Sequence, residues 1–189
     1  MRRAVLWRRL DRAGAEYFAL RQEDGWRLEG TAVVEADGRP IQAGYRVRCH
    51  PSWATATVDV ALKVGGASRR LRLRVDDGRR WTANGRPLSE VEGCPDVDLG
   101  VSPSTNTLPI RRLGLAVGQA QEITATWVRF PELTVTPLRQ RYTRLAEQRY
   151  LYESVDSGFS AKLEVDDLGL VIDYEGIWER AVVWDGGGR

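Results

Sequence analysis

One stretch of this 189-residue chain, residues 94–113, concentrates the side chains that could do chemistry. Asp96 and Asp98 stand two positions apart, so in an extended chain their carboxylates lie on one face. Such a pair could do acid–base work on a glycoside or hold a divalent cation. It could equally bond the nearby backbone and pair with Arg111 or Arg112, and the residue types favour that structural role.

The backbone of the same stretch is predicted to be irregular. Pro95, Pro103 and Pro109 cannot donate to a strand ladder, and each pushes the preceding residue toward extended geometry. The residues between them are short polar ones that bond readily to nearby backbone: Ser102, Ser104, Thr105, Asn106 and Thr107. Because loops on a rigid scaffold often carry function, we expect an ordered loop or a binding site here.

Other kinds of reactive centre find little support in the sequence. His50 is the sole histidine, and its neighbour Cys49 would point to the opposite face of a strand. Cys94 would need a tertiary contact to meet His50, and one histidine with two isolated cysteines does not suggest a zinc site. The sequence contains no glycine-rich phosphate loop, nucleophile elbow or dinucleotide fingerprint. We therefore expect no catalytic residues, no metal and no cofactor.

Composition narrows the class of protein. The chain is 42% hydrophobic and 29% charged with a net charge of +2, which does not indicate a nucleic-acid partner. The first residues contain no apolar run of the kind found in signal peptides, and no stretch approaches the roughly 20 apolar residues of a membrane span. These features predict a cytoplasmic protein in which Cys49 and Cys94 stay reduced.

The elements around the polar stretch are predicted to be strands. Residues 41–49 alternate, with Tyr45 and Val47 on one face and Arg46 and Arg48 on the other. About a dozen such runs are joined by short turns, which predicts antiparallel neighbours, and no amphipathic helix is evident. So many strands must close or curl to hide their edges. We predict an all-β domain over residues 1–184, folded as a barrel or half-barrel around an apolar cavity, and a disordered tail at 185–189.

Aromatic and arginine side chains leave two questions open. The seven Trp and six Tyr are spread along the chain, and most are expected in the core. Some could line a cavity, because aromatics with a polar edge suit amphiphilic or sugar-bearing ligands. Arg70, Arg72 and Arg74 alternate with Leu71 and Leu73, which is typical of a solvated sheet face rather than a phosphate or RNA track.

With these residues in view, the chain resembles the bacterial family called "putative glycolipid-binding" proteins over nearly its whole length. The resemblance is carried by GWRLEG at 25–30, GYRV at 44–47, GCPDVDL at 93–99, SPSTNTLPIRRL at 102–113, WVRFP at 127–131, QRY at 140–142 and YLYES at 150–154. The family is similar in fold to lipoprotein carriers and glycolipid-binding lipoproteins, which wrap a curved antiparallel sheet around an apolar cavity. The resemblance implies a binding protein and supplies no catalytic residue to carry over.

The leading hypothesis is a β half-barrel that binds an amphiphile, such as a glycolipid, with its apolar tail in the sheet's concavity. The residues expected at the ligand are Asp96, Asp98, Asn106, Arg111 and Arg112 for the polar head, and Tyr45, Trp53, Trp127 and Tyr142 for the cavity. Two alternatives stay open: an enzyme that acts on a glycoside or ester through Asp96 or Asp98, and a protein-interaction module that uses the arginine ladder. The sequence indicates neither the identity of the ligand nor the oligomeric state.

Overall fold

A computed structural model describes residues 2–186, and its strands form one large sheet. Strand accounts for 61% of the described residues and helix for 7%, which confirms the predicted all-β class. One α-helix, α1 (Thr107–Leu113), follows a 3-10 turn at Ser104–Asn106, and a second 3-10 turn lies at Ser89–Val91. The strands are β1 (Arg2–Arg9), β2 (Gly14–Gln22), β3 (Trp26–Ala36), β4 (Arg39–Cys49), β5 (Thr55–Val64), β6 (Ala67–Val75), β7 (Trp81–Ala83), β8 (Arg86–Leu88), β9 (Val97–Leu99), β10 (Ala120–Val128), β11 (Val135–Ala146), β12 (Arg149–Ser154), β13 (Phe159–Val165), β14 (Val171–Tyr174) and β15 (Trp178–Asp185).

The strand order explains how the sheet curls. β1 to β8 lie side by side in sequence order, β15 pairs with β1, and the order then runs back from β14 to β9. Nearly every pairing is antiparallel, and the exception is β9, which runs parallel to β10. The curved sheet does not close, so β8 and β9 form its two edges, as predicted for a half-barrel. Residues 89–96 carry the chain from one edge to the other.

The alternation of apolar and polar residues in the sequence correctly predicts which side chains face inward. In β4, Tyr45, Val47 and Cys49 are buried on the concave face, whereas Arg46 is exposed on the convex face. On β6 the side chains of Arg70, Arg72 and Arg74 are exposed, and Arg74 pairs with Asp59 of the neighbouring strand at 3.0 Å. The arginine ladder is therefore a solvated sheet face, held in part by cross-strand ion pairs.

The concave face is covered by the chain itself. Residues 94–113, called the plug from here on, include the edge strand β9 and then run along the inner face, where Ser104, Thr107 and Leu108 are fully buried. The plug is anchored at its start, where Thr55 N donates to Pro95 O at 3.0 Å and Trp81 Nε1 donates to Cys94 O at 2.9 Å. The stretch predicted to be an ordered loop or site is thus ordered, but it lies inside the sheet rather than on the surface.

The short helix in the plug was not predicted, and its sequence explains both why it was missed and why it forms. Pro109 lies in the first turn, where its missing N–H removes no intrahelical bond. Gly114 follows the last residue with a φ of 56°, a left-handed conformation that ends helices at little cost in glycine. Seven residues are too few to display a helical period.

Three further expectations concern the thiols, the membrane and the tail. Cys49 and Cys94 are both free and buried. Within residues 2–186, no helix combines the length and apolar character that a membrane crossing requires. Asp185 is the last residue of β15, and residues 187–189 of the predicted tail lie outside the described residues.

One glycine lets a tyrosine reach the plug. Gly30 of β3 lies directly opposite Tyr45 of β4, and a Cβ added at Gly30 would stand 2.4 Å from Tyr45 Cζ. The phenol ring therefore lies across the bare backbone of Gly30, and its hydroxyl meets Ser102 and Ser104 of the plug. The backbone of Gly30 has a geometry that any residue can adopt. A glycine is needed there only because a larger side chain would collide with the Tyr45 ring.

We predict that Gly30→Ala destabilises the protein by about 2 kcal/mol, because the added methyl group displaces the Tyr45 ring from a packed position. Gly44→Ala is the matched control on the adjacent strand, where the nearest atoms to an added Cβ lie at 3.9 Å. That variant should match or slightly exceed the parent in stability. Urea unfolding measures both, and equal stability of the two variants would contradict the described Tyr45 packing.

Candidate functional site

A cleft of about 490 Å³ opens between the plug and the strands from β10 to β15. Its wall is aromatic, formed by Trp127, Tyr152, Phe159, Tyr174 and Trp178. Tyr152 packs edge-on against Tyr174 with ring centroids 6.1 Å apart, and Phe159 lies 6.2 Å from Tyr152. Because Phe159 is 41% exposed, this cluster offers an apolar face to anything that enters the cleft.

The plug supplies the polar side of the cleft through Asp98, Ser102 and Asn106. Asp98 Oδ2 accepts a hydrogen bond from Gln140 Nε2, and Thr105 Oγ1 donates weakly to Asp98 Oδ1 at 3.4 Å. Asn106 Oδ1 accepts from Tyr142 Oη at 2.9 Å, and its amide nitrogen donates to Pro103 O at 3.1 Å. Tyr142 itself stands behind Asn106, so its role is to fix that side chain.

Asp98 keeps a partly exposed face at the cleft and forms no salt bridge with any of the described residues. Desolvation by the surrounding protein raises the pKa of its carboxyl to about 6, and the hydrogen bonds from Gln140 and Thr105 only partly oppose that rise. Asp98 is therefore mostly ionised at neutral pH, in a place where no cation compensates its charge.

Asp96 has a different partner although it is only two residues away. Its carboxylate is 1% exposed and accepts hydrogen bonds from both Nε (2.9 Å) and Nη2 (2.7 Å) of Arg112. Burial raises the pKa of Asp96, and the Arg112 guanidinium opposes that shift. A fork of this kind ties α1 back to the start of the plug. Asp96 and Arg112 thus meet each other and do not line the cleft.

Arg111 points to the other side of the plug. Its guanidinium donates to Asp167 O at 3.1 Å and lies 5.7 Å from the ring of Trp53. Trp53 is itself buried and stacks on Trp26 with centroids 4.1 Å apart. Arg111 also lines a depression separate from the cleft, and Arg112 does not, so the two neighbouring arginines do not face one pocket.

Tyr45 belongs to a buried polar cluster that was not predicted from the sequence. Its hydroxyl lies 2.7 Å from Ser104 Oγ and donates to Glu16, and Ser102 Oγ donates to the same carboxyl at 2.8 Å. Glu16 is fully buried, and desolvation raises its pKa to about 8, which leaves it mostly protonated at neutral pH. A signal was available, because Glu16 occupies an inward position of β2, in step with Phe18 and Leu20.

The structure therefore gathers some predicted site residues and separates others. Asp98, Asn106 and Trp127 line the cleft, while Tyr142 supports it from behind. Tyr152, Phe159, Tyr174 and Trp178 were not predicted as site residues. An aromatic residue at an inward position of a strand can lie in the core or line a cavity, and the sequence does not distinguish the two. Only the tertiary arrangement shows that these four residues surround a gap.

We predict that Arg112→Ala lowers the free energy of unfolding by about 3 kcal/mol, because it leaves the buried Asp96 carboxyl without its partner. Arg111→Ala is the matched control at the next position, with an exposed side chain and no carboxylate partner among residues 2–186. It should cost less than about 1 kcal/mol. Urea unfolding compares them, and a larger loss for Arg111→Ala would reverse the assignment.

The raised pKa of Glu16 gives stability a predictable pH dependence. Between its ordinary pKa of 4.5 and the folded value of about 8, the unfolded chain loses a proton that the folded protein keeps. Stability from this group is therefore present at low pH and lost as pH rises. Relative to Glu16→Gln, which has no proton to lose, the parent should lose more than about 1 kcal/mol between about pH 5 and pH 8. If the free energy of unfolding changed equally with pH in the two proteins, Glu16 would be ionised in the folded protein and this prediction would be wrong.

Comparison with known proteins agrees with this architecture. The model of a family described as "Putative glycolipid-binding" matches residues 4–180. A crystal structure of a DUF1089 family protein from Pseudomonas aeruginosa is 41% identical and superposes with a TM-score of 0.80, covering 87% of this chain and 91% of that one. A comparison with curated proteins found no match. The chain belongs to the family described as putative glycolipid-binding.

Proposed function

We propose that this protein binds an amphiphilic molecule of the glycolipid kind in the aromatic cleft beside the plug. The observation that carries the proposal is the pairing of an aromatic wall, in which Phe159 is 41% exposed, with a partly open, uncompensated carboxylate in one cleft of about 490 Å³. Apolar walls with a few placed polar groups are the usual form of a small-molecule site. Membership of a family with this description supports a binding role.

The concave face of the sheet is already occupied by the plug, which favours the cleft as the binding place. The inner face of the sheet is packed against plug residues such as Leu99, Leu108 and Ile110, which are at most 5% exposed. A tail that entered there would have to displace a part of the chain held by several buried hydrogen bonds. In the cleft, by contrast, an alkyl chain can lie on Phe159 and Tyr174 without displacing protein.

An enzymatic role is the second candidate, and Asp98 is the observation that favours it. A carboxyl with a pKa of about 6 is suited to donate or accept a proton near neutral pH. Hydrolysis of a glycoside commonly uses two carboxylates. The other carboxylate at the cleft, Asp156, forms a salt bridge with Arg139 at 3.3 Å, which ties it to the rim. Binding without turnover therefore fits the cleft better.

The proposal predicts that decyl maltoside binds and changes the tryptophan fluorescence of the protein. Phe159→Ala should weaken binding about tenfold, because an aromatic side chain that covers part of the alkyl chain contributes roughly 1.5 kcal/mol. Leu6→Ala removes a side chain of nearly the same exposure, 40% against 41%, from the convex face and should leave the Kd within about twofold. Equal effects of the two variants would refute the cleft, and release of sugar during the titration would favour the enzyme.

A further inference from the structure

We infer that the head group taken by this cleft presents hydrogen-bond donors and carries no negative charge, and that Asp98 is the residue that selects it. This inference rests on the proposed function, because it specifies which amphiphiles the same cleft accepts. It departs from the sequence-based expectation that Arg111 and Arg112 contact the polar head of the ligand.

The charges around the cleft carry the first step. Three charged residues line it, and two of them are already paired. Arg9 Nε donates to Asp11 at 2.7 Å, with its guanidinium 5.1 Å from the ring of Trp178, and Asp156 is held by Arg139. Asp98 alone has no partner of opposite charge among residues 2–186. The one uncompensated charge that a ligand meets is therefore negative.

The hydrogen bonds carry the second step. Ser102 Oγ is committed to Glu16, and both ends of the Asn106 amide already have partners. The Gln140 amide nitrogen donates to Asp98 and lies 3.3 Å from Tyr152 Oη. Neutral donors remain at the cleft, because Tyr152, Tyr174 and Trp178 also line it. The charged group that remains is the Asp98 carboxylate, and an ionised carboxylate offers about four acceptor positions and no donor. Pairing with Asp98 therefore requires a ligand that supplies donors.

The chemistry of the head group follows from these two steps. Sugar hydroxyls donate to a carboxylate and bring no charge, and an ammonium group donates and adds attraction. A phosphate or carboxylate head brings a like charge into a partly desolvated site, where repulsion is stronger than in water. The two arginines of the plug do not compensate such a negative charge, because Arg112 forms a salt bridge with Asp96 and Arg111 lies over the ring of Trp53.

The titration of Asp98 gives a second readout. The groups that face it are Gln140 of β11, Thr105 of the plug, and the phenols of Tyr142, Tyr152 and Tyr174, whose pKa values are all raised above 10. None of these changes charge between about pH 5 and pH 8. Because only the ionised carboxylate accepts donors at both oxygens, affinity for a glycoside should rise with pH through about 6.

The test is a titration of the full chain with three amphiphiles that share one decyl tail: decyl maltoside, decylammonium and decyl phosphate. In the parent, maltoside and ammonium should each bind at least about tenfold more tightly than phosphate at neutral pH. Asp98→Asn should shrink the gap between maltoside and phosphate at least about fivefold and remove the pH step in maltoside binding. Asp173→Asn is the control, since it removes a carboxylate on the outer face of β14 whose pKa is also raised.

Each outcome decides between separate claims. If phosphate binds as tightly as maltoside in the parent, or Asp173→Asn changes the ranking as Asp98→Asn does, the selectivity assigned to Asp98 is wrong while binding in the cleft stands. If none of the three amphiphiles binds, the proposed function falls and the inference falls with it. Should Asp98→Asn fail to fold, the pH profile of the parent alone decides, because a flat profile across about pH 5 to pH 8 overturns the role of Asp98.

Discussion

An open sheet of 15 strands must cover its apolar inner face, and here the chain does so with its own residues 94–113. Covering the inner face with this segment buries many polar groups, and each of them needs a hydrogen-bond or ionic partner to keep the fold stable. The Asp96–Arg112 fork, the bonds of Ser102 and Ser104 to Tyr45 and Glu16, and the bond from Thr107 Oγ1 to Gly169 O at 3.0 Å are those partners. The buried polar network is thus a consequence of filling the concave face with a polar segment.

In the function we propose, the same constraint leaves the cleft as the place for the ligand. Because the plug packs against the first half of the sheet, the interior offers no room there, and the remaining gap lies along its other flank. The two sides of that gap differ in chemistry. The plug contributes Asp98 and Asn106, whereas strands β10 to β15 contribute the aromatic side chains. A molecule with a polar end and an apolar end matches a cleft of this composition.

The sequence predicts the fold well because strand periodicity is a local property. Alternation in β4 and β6 identifies the inward face, and short joints indicate antiparallel pairing. The sequence also locates the segment that matters, through its three prolines and its run of short polar residues. It does not show that the segment is buried, nor that Arg112 rather than Arg111 meets Asp96, because both depend on contacts between distant parts of the chain. Glu16 is a middle case, since a carboxylate in an inward position is visible locally but its partners are not.

The central claim is that the chain fills its own concavity and leaves the ligand to the cleft, and the tryptophan indoles test it directly. In ¹H–¹⁵N spectra of the protein titrated with decyl maltoside, the N–H signals of Trp127 and Trp178, which line the cleft, should shift. Those of Trp7 and Trp81, which donate inside the sheet to Val171 O at 2.8 Å and Cys94 O at 2.9 Å, should stay in place. Shifts of Trp7 and Trp81 without shifts of Trp127 and Trp178 would show that the ligand displaces the plug and occupies the concavity, contradicting the account.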